Sequence, residues 1–367
     1  MKKCLIGALI SMILLHHSAL ADSSRSSLLM DGETGRILYE HNAHEPLPMA
    51  STTKIMTALL AIEHCGMDEK VTAGKNAFGV PGTSIYLSEG EILTMEQMLY
   101  GLMLSSGNDA AVAIAEHVAG SVDAFCKMMT QRAEELGCEN TVFMTPHGLP
   151  NDVHHTTAYD LCLIAREAMK NETFRTIVGT ERKQIPWAEH EYDRVLSNKN
   201  RLLSVYEGAT GIKTGYTNKA GRCLVFSAQR NGMELIGCVL NCQNWFDQAR
   251  DILDEGFEKY EWVSLYQAGE RVTEVEIIGG TVDRIAVGTE TDAAVPMEKG
   301  ILPRTEVDVP ERVDAGIVRG QALGTLHLYD GNEKVLSVPL IAMEDAPAGT
   351  FPFRVRRVVE NWQTAAQ

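Results

Sequence analysis

Two residues near the start of a predicted helix have the types and the spacing needed for acyl transfer. Ser51 and Lys54 are three residues apart, so on a helix their side chains share one face. A serine hydroxyl becomes a good nucleophile when a base removes its proton, and a neutral lysine amine can act as that base. The helix N-terminus adds partial positive charge beside a developing oxyanion. The pair predicts a serine nucleophile with a lysine base, provided that burial or a second cation lowers the lysine pKa from about 10.4.

Two more groups follow in order along the chain. Ser106 and Asn108 lie in a predicted loop between two helices, where a hydroxyl and a carboxamide can face one cleft. Lys213 and Thr214 end a predicted edge strand and suit a carboxylate, while Gly215 permits close approach of a backbone or a ligand. Each group alone is common, as a helix cap or an exposed lysine. The ordered set predicts a serine acyl-transfer site.

The segments that carry these groups predict an α+β fold. Strand patterns occupy both ends of the first 260 residues, and Asn231-Gly232 is a strong hairpin signal. Thr94 begins a capping box. Strands at both ends with helices between them predict one antiparallel sheet with a helical insert packed beside it. The predicted strands are 27–30, 36–40, 209–214, 222–229 and 233–240, and the predicted helices are 53–64, 95–103, 109–118, 122–136, 157–169 and 245–257.

After about residue 261 short alternating segments predict a small all-β domain. They are 272–278, 284–287, 306–309, 325–328 and 334–340. We expect a catalytic domain at 22–260, a β-rich domain at 261–345 and a tail at 346–367. In residues 352–367 a Val/Trp face opposes an Arg face, which suits peripheral contact with an anionic bilayer. A helix docked on its own domain, or a frayed tail, fits the same pattern.

The first segment is typical of a targeting signal. Lys2 and Lys3 precede a short apolar run, and Ala19-Leu20-Ala21 is a small-x-small cleavage signal. We therefore expect a signal peptide at 1–21 and an extracytoplasmic mature protein, secreted into the cell wall or held at the outer face of the cytoplasmic membrane. Seven cysteines remain after cleavage, an odd number with no CxxC spacing. We expect most of them to be small buried hydrophobes, and no bridge between Cys238 and Cys242.

Composition excludes several functional classes. Hydrophobic residues make up 45% of the 367 residues and charged residues 22%, as in soluble globular proteins. The formal charge of −16 argues against nucleic-acid binding through a basic surface. Neither phosphate-binding glycine loops nor an HExxH zinc motif is present in the sequence. We expect no cofactor and no metal, with His147 in a structural role.

Longer stretches around the three groups resemble the low-molecular-weight penicillin-binding proteins, the serine-type D-Ala-D-Ala carboxypeptidases of peptidase family S11. The resemblance covers roughly residues 26–343, and the second group reads SGN, the usual form in this family. It implies a β-lactamase/transpeptidase-like catalytic domain followed by the β-rich domain. The matching stretches are 49–58, 101–111, 146–149, 156–161, 211–217 and 313–342.

The resemblance also implies roles for the first two groups. Ser51 would attack the carbonyl of the penultimate D-Ala of a peptidoglycan stem peptide, and Lys54 would take its proton. Ser106 would relay a proton to the leaving D-Ala nitrogen. Asn108 would hold Lys54 and the substrate amide. β-Lactam antibiotics, which mimic the D-Ala-D-Ala end, would trap Ser51.

The third group and its neighbour would bind substrate. By the same resemblance, Lys213 supplies positive potential, Thr214 helps to bind the terminal carboxylate, and Gly215 and Tyr216 line the substrate strand. The backbone N–H groups of Ser51 and Tyr216 would form the oxyanion hole.

One position departs from the family pattern. Many relatives have an arginine just before the helix that closes the catalytic domain, where this chain has Trp245. Arg222 and Arg250 are the nearest substitutes, and either could equally be a solvated surface residue. The alternatives to a carboxypeptidase are a β-lactamase, which the β-rich domain disfavours, and a catalytically silent cell-wall binding protein.

Overall fold

The first part of the protein, which is the expected catalytic domain and is called the catalytic part below, is built on a five-stranded antiparallel sheet. The structure is a computed structural model that describes residues 23–353 and 355. The strand order is β2-β1-β9-β8-β7, so the start of the chain pairs with strands from more than 200 residues later. The strands are β1 Ser26–Asp31, β2 Ile37–His41, β7 Ala209–Thr217, β8 Gly221–Arg230 and β9 Met233–Leu240.

Both faces of this sheet are covered by helices. Neighbouring residues of one strand point to opposite faces, so Leu28 packs in the core beneath α1–α6 while Leu29 packs against α8. This arrangement confirms the predicted antiparallel sheet with a helical insert. The helices are α1 Lys54–His64, α2 Met95–Met103, α3 Asn108–Ala119, α4 Val122–Glu135, α5 Ala158–Met169, α6 Glu172–Gly179, α7 Leu202–Val205 and α8 Trp245–Lys259.

The start of helix α2 follows the predicted capping chemistry, and the start of helix α3 departs from it. Thr94 and Gln97 form a reciprocal capping box at α2, and the Thr157 hydroxyl caps α5. Helix α3 begins differently, because its N-cap is Gly107 and no side chain caps it. The alternative interpretation of this second group as a helix cap is therefore wrong, and the Asn108 and Asp109 side chains are available for other contacts.

Short elements in the insert were not predicted. Two antiparallel strand pairs are present, one of β3 Lys70–Thr72 with β4 Ile92–Thr94, the other of β5 Arg182–Ile185 with β6 Arg194–Ser197. Helices α6 and α7 were also missed. Each of these strands has only three or four residues, too few for a periodic pattern to stand out.

The part after α8 is all β, as predicted. A six-stranded sheet has the order β14-β16-β17-β12-β11-β15, and β10 pairs with β13 beside it. The sequence patterns missed β10, β13 and β15. The strands are β10 Tyr260–Tyr266, β11 Arg271–Ile278, β12 Arg284–Thr289, β13 Ala293–Glu298, β14 Arg304–Asp308, β15 Arg312–Asp314, β16 Ala322–Asp330 and β17 Glu333–Ala342.

The β-rich part contacts the catalytic part through Arg36. Its guanidinium, between β1 and β2, donates to the Asp330 carboxylate and to the Pro296 carbonyl oxygen at 2.6 Å. The predicted signal peptide, residues 1–21, lies outside the described residues, as do Arg354 and residues 356–367 of the predicted tail. No helix within the part that the structure describes is both long and apolar enough to span a bilayer.

Candidate active site

Ser51 lies in a tight 3-10 turn, Ala50–Thr53, immediately before helix α1. Ala50 has φ +50°, a left-handed conformation that is costly for any residue but glycine. Two contacts hold this turn: the Thr53 hydroxyl donates to the Ala50 carbonyl oxygen at 2.8 Å, and Gly148 packs against the same oxygen. A Cβ at position 148 would lie 1.8 Å from that oxygen, so only glycine fits there.

His154 supports the turn from behind. Its Nδ1 accepts the Met144 backbone N–H at 2.9 Å, so in the neutral ring Nε2 carries the proton and donates to the Thr53 hydroxyl at 2.8 Å. Burial, with His155 adding a smaller effect, lowers the pKa of His154 to about 4. Its neighbour His155 points elsewhere and bonds the Val153 carbonyl oxygen, as adjacent residues are expected to do.

Lys54 is wholly buried at the first turn of α1 and contacts three groups. Its Nζ lies 3.1 Å from Ser51 Oγ, 2.7 Å from Asn108 Oδ1 and 2.8 Å from the His147 carbonyl oxygen. The predicted contact between Ser51 and Lys54 is therefore present. The two carbonyl-type acceptors fix the amine beside the hydroxyl, which is the geometry that a proton transfer requires.

A cluster of three lysines sets the charge of the site. Burial, followed by the nearby charges of Lys213 and Lys199, lowers the pKa of Lys54 well below its usual range. Burial and Lys199 lower the pKa of Lys213 to about 7. Because like charges in a buried site disfavour one another, the cluster favours the neutral form of the Lys54 amine, which can accept a proton.

The second group forms one wall of the site. Ser106 is buried, with φ +63°, two residues before the Asn108 side chain that bonds Lys54. The segment after β3 holds this loop: the Thr83 hydroxyl donates to the Ser106 carbonyl oxygen at 2.6 Å, and Asn108 Nδ2 donates to the Pro81 carbonyl oxygen at 2.6 Å. The sequence pattern gave no signal for this support.

The third group lies on edge strand β7. The sequence placed it at the end of a strand that stops at Thr214, but the strand continues to Thr217, so that expectation is wrong by three residues. A Cβ on Gly215 would be 2.9 Å from the Ser51 backbone nitrogen, which accounts for glycine where the strand meets the nucleophile turn. Lys213 and Thr214 are buried, and Tyr216 is 60% exposed at the mouth.

The two arginines nearest to the position of the family residue have other partners. Arg222 lies over the Trp245 ring at 6.0 Å and donates to the Gln243 carbonyl oxygen, and Arg250 pairs with Asp247 on α8. Lys199 instead supplies the third cation, acting on both Lys54 and Lys213. Sequence analysis missed Lys199 because no spacing links it to the three groups.

The histidines and cysteines hold no catalytic arrangement around Ser51 within the described residues. His147 contributes its backbone oxygen to Lys54, and burial, with the Lys54 charge as a smaller effect, lowers the pKa of its ring to about 3. Cys238 forms no disulfide, as expected. Cys65 is half-buried, and the other described cysteines are buried.

The family comparison agrees with this geometry. The profile of the D-alanyl-D-alanine carboxypeptidase family, Peptidase S11, matches residues 15–244, and that of the penicillin-binding protein 5 C-terminal domain matches residues 260–348. The chain belongs to this carboxypeptidase family, whose members are low-molecular-weight penicillin-binding proteins.

Individual relatives extend over nearly the whole chain. It is 35% identical over 358 residues to D-alanyl-D-alanine carboxypeptidase DacF of Bacillus subtilis, covering 94% of this chain and 91% of that one. It is 30% identical to DacC of Escherichia coli, covering 90% and 86%. Penicillin-binding protein 5 of Haemophilus influenzae has a similar structure, with a TM-score of 0.76 at 26% identity, covering 89% and 98%. The protein is therefore a hydrolase of the serine carboxypeptidase type.

Proposed function

We propose that this protein removes the terminal D-Ala from peptidoglycan stem peptides through an acyl-enzyme on Ser51. The observation that carries the proposal is the Lys54 amine, wholly buried, lowered in pKa and 3.1 Å from Ser51 Oγ. A neutral amine at that distance is positioned to act as a general base towards the hydroxyl.

The first half of the reaction forms the acyl-enzyme. Lys54 takes the Ser51 proton as Oγ bonds to the carbonyl carbon of the penultimate D-Ala. The bond from that carbon to the terminal D-Ala nitrogen then breaks, and Ser106 relays the proton to the leaving amine. Asn108 keeps the Lys54 amine in place and holds the substrate amide.

The substrate is held by the third group. Lys213 supplies positive potential, and Thr214 helps to bind the terminal carboxylate of the peptide. Gly215 and Tyr216 line the strand along which the peptide lies, and the backbone N–H groups of Ser51 and Tyr216 stabilise the oxyanion. Water then attacks the ester carbon, the C–Oγ bond breaks, and Ser51 regains its proton.

We propose the same three-part organisation that the sequence predicts, with the catalytic part at 22–260, the β-rich part at 261–345 and a tail at 346–367. The change from helix to strand at Lys259 and Tyr260 supports the first boundary. An extracytoplasmic location, after removal of residues 1–21, fits a peptidoglycan substrate. We expect no nucleic-acid partner.

Labelling and product release test the function together. Mature wild-type protein is incubated with fluorescent penicillin and, separately, with a diacyl-D-Ala-D-Ala peptide. We expect persistent labelling and released D-Ala, both abolished in Ser51→Ala. Ser337→Ala, an exposed serine of the β-rich part, is the matched control and should behave as wild type.

Each alternative has its own outcome. Rapid turnover of penicillin without persistent label would indicate a β-lactamase. Peptidoglycan binding with neither label nor D-Ala release would indicate a silent binding protein. Absence of both reactions in the wild type overturns the proposal.

We also propose that residues 352–367 bring the protein to the membrane surface. The mature chain and a version ending at 351 are compared for sedimentation with anionic vesicles. The deletion should abolish binding, and unchanged binding would dismiss the anchor.

A further inference from the structure

Three side chains with different donor atoms meet at the end of the helical insert remote from Ser51. Cys65 follows the last residue of α1, Glu69 lies in the turn after it, and His117 is in the last turn of α3. The Cys65 Sγ, a Glu69 carboxylate oxygen and a His117 ring nitrogen all lie within 4.8 Å of one another. The three come from two chain segments about 50 residues apart, so the tertiary fold brings them together.

The donor set matches the preferences of zinc. Zn²⁺ takes thiolate, imidazole and carboxylate ligands at roughly 2.0–2.3 Å, which places tetrahedral ligand atoms roughly 3.3–3.8 Å apart. Glu69 Oε1 and His117 Nε2 are 2.8 Å apart, so these two atoms would have to separate slightly around an ion. Glu69 is exposed, so its carboxylate has room to make this adjustment.

The cluster has the access and the support that an ion needs. Cys65 is half-buried, whereas the other described cysteines are buried in cores. The Gly66 backbone N–H donates to Glu69 Oε2 at 3.2 Å, which holds the carboxylate and leaves Oε1 facing His117. Hydrogen bonding of a ligand carboxylate is typical of metal sites.

We propose that Cys65, Glu69 and His117 bind one zinc ion, with the fourth tetrahedral position taken by water. Binding exchanges the Cys65 thiol proton for the metal, so one Zn–S bond forms and one proton passes to solvent. The ion ties the C-terminal end of α1 to that of α3. Lys54 and Asn108 are the first residues of these two helices, at the ends away from the ion. The zinc site would therefore stabilise the packing of the helices and would not contact the substrate.

The alternative without a metal is a surface ion pair between Glu69 and His117, with the Cys65 thiol beside it. The Glu69–His117 pair alone accounts for their 2.8 Å contact without any metal. That alternative predicts weak zinc binding that does not depend on the cysteine. Substitution of Cys65 therefore separates the two.

The test uses untagged mature protein stripped with a chelator and then dialysed. Zinc is titrated in competition with a chromophoric chelator, and Co²⁺ is added separately to look for thiolate-to-cobalt charge-transfer absorption. We expect one equivalent of zinc, a cobalt–thiolate band, and a zinc-dependent rise in melting temperature. Penicillin labelling is recorded alongside and reports separately on the proposed catalytic function.

Three variants complete the experiment. Cys65→Ser and His117→Gln should each lower zinc affinity by at least about 100-fold. Loss of a residue that only supports a ligand lowers metal affinity by up to about 100-fold, and loss of a ligand itself should cost no less. Cys65→Ser should also lose the cobalt band. His155→Gln, a partly exposed histidine elsewhere, should bind zinc as wild type does. Substoichiometric binding in the wild type, or equal affinity in Cys65→Ser, would refute the site, and melting curves of the metal-free variants verify that each one folds.

Discussion

The catalytic part and the β-rich part differ most in what they bury. Within the described residues the catalytic part buries charged and amide side chains, including Lys54, Lys213 and Asn108, whereas the β-rich part buries a single polar side chain, Thr289. Burying a cation is costly unless its partners compensate. The costly buried groups therefore lie in the catalytic part, and they include Lys54, which contacts both Ser51 and Asn108.

The backbone differs in the same way. The left-handed non-glycine residues recorded for the described chain all lie in the catalytic part and include Ala50 and Ser106 of the site. The left-handed residues recorded for the β-rich part are glycines. Strain of this kind persists only when surrounding contacts enforce it. The comparison indicates that the catalytic part contains strained backbone that lowers its stability and fixes the geometry of the site. The β-rich part contains no such strain within the described residues.

The largest expected effect comes from removing the buried amine. Lys54→Met should lower the second-order rate of penicillin acylation by about 10²–10⁴-fold, because the general base is lost while the methionine fills the space. Stopped-flow labelling measures this rate. Lys334→Met, on an exposed strand of the β-rich part, is the matched control and should leave the rate unchanged. A loss of less than tenfold in Lys54→Met would contradict the assigned role.

A glycine from each part tests the backbone comparison. Gly148→Ala places a Cβ 1.8 Å from the Ala50 oxygen, so the nucleophile turn must move. We expect a loss of more than about 3 kcal/mol in unfolding free energy, together with loss of labelling. Gly331→Ala has a similar positive φ but open space around its Cβ, so it should cost about 1 kcal/mol. Equal losses in urea unfolding would remove the contrast.

The buried histidine behind the turn makes stability depend on pH. The pKa of His154 is near 6.5 in the unfolded chain and about 4 in the folded protein. The unfolded state therefore binds the proton first as the pH falls, so the stabilisation is present at pH 7 and is lost at lower pH. We expect a loss of about 2 kcal/mol between pH 7 and 5 from this group. His154→Gln should remove the His154 share of that slope in urea unfolding and leave the share of the buried His147, while His155→Gln should retain both shares. Identical slopes in the two variants would contradict the assignment.

The smallest effect concerns the third lysine. Lys199→Ala removes a positive charge that lowers the pKa of Lys54, so that pKa should rise and the acid limb of acylation should move to higher pH. Because Lys199 is partly exposed, the change in rate at neutral pH should be less than about tenfold. The pH profile of penicillin acylation measures the shift, with Lys334→Ala as control. A shift to lower pH would be the wrong sign.

Local patterns in the sequence predicted the local structure well. Ser51 and Lys54 meet because a three-residue separation along one turn fixes their distance. The Thr94 capping box and the Asn231-Gly232 hairpin turn were equally readable, since each depends on a few adjacent residues. The strands β10 and β13 were not found, because their burial pattern depends on packing between strands distant in sequence.

The sequence by itself determined the Ser51–Lys54 contact, the order of the three groups and the α+β class, because these follow from residue types at short spacing. Only the tertiary structure decided which distant groups surround the amine. Two residues fix the position of Lys54 Nζ: Asn108, which is 54 residues away in sequence, and His147, which is 93 residues away. The charge of Lys199 lowers the pKa of the same amine. No local pattern encodes such contacts, since they arise from how the sheet and the helical insert pack together.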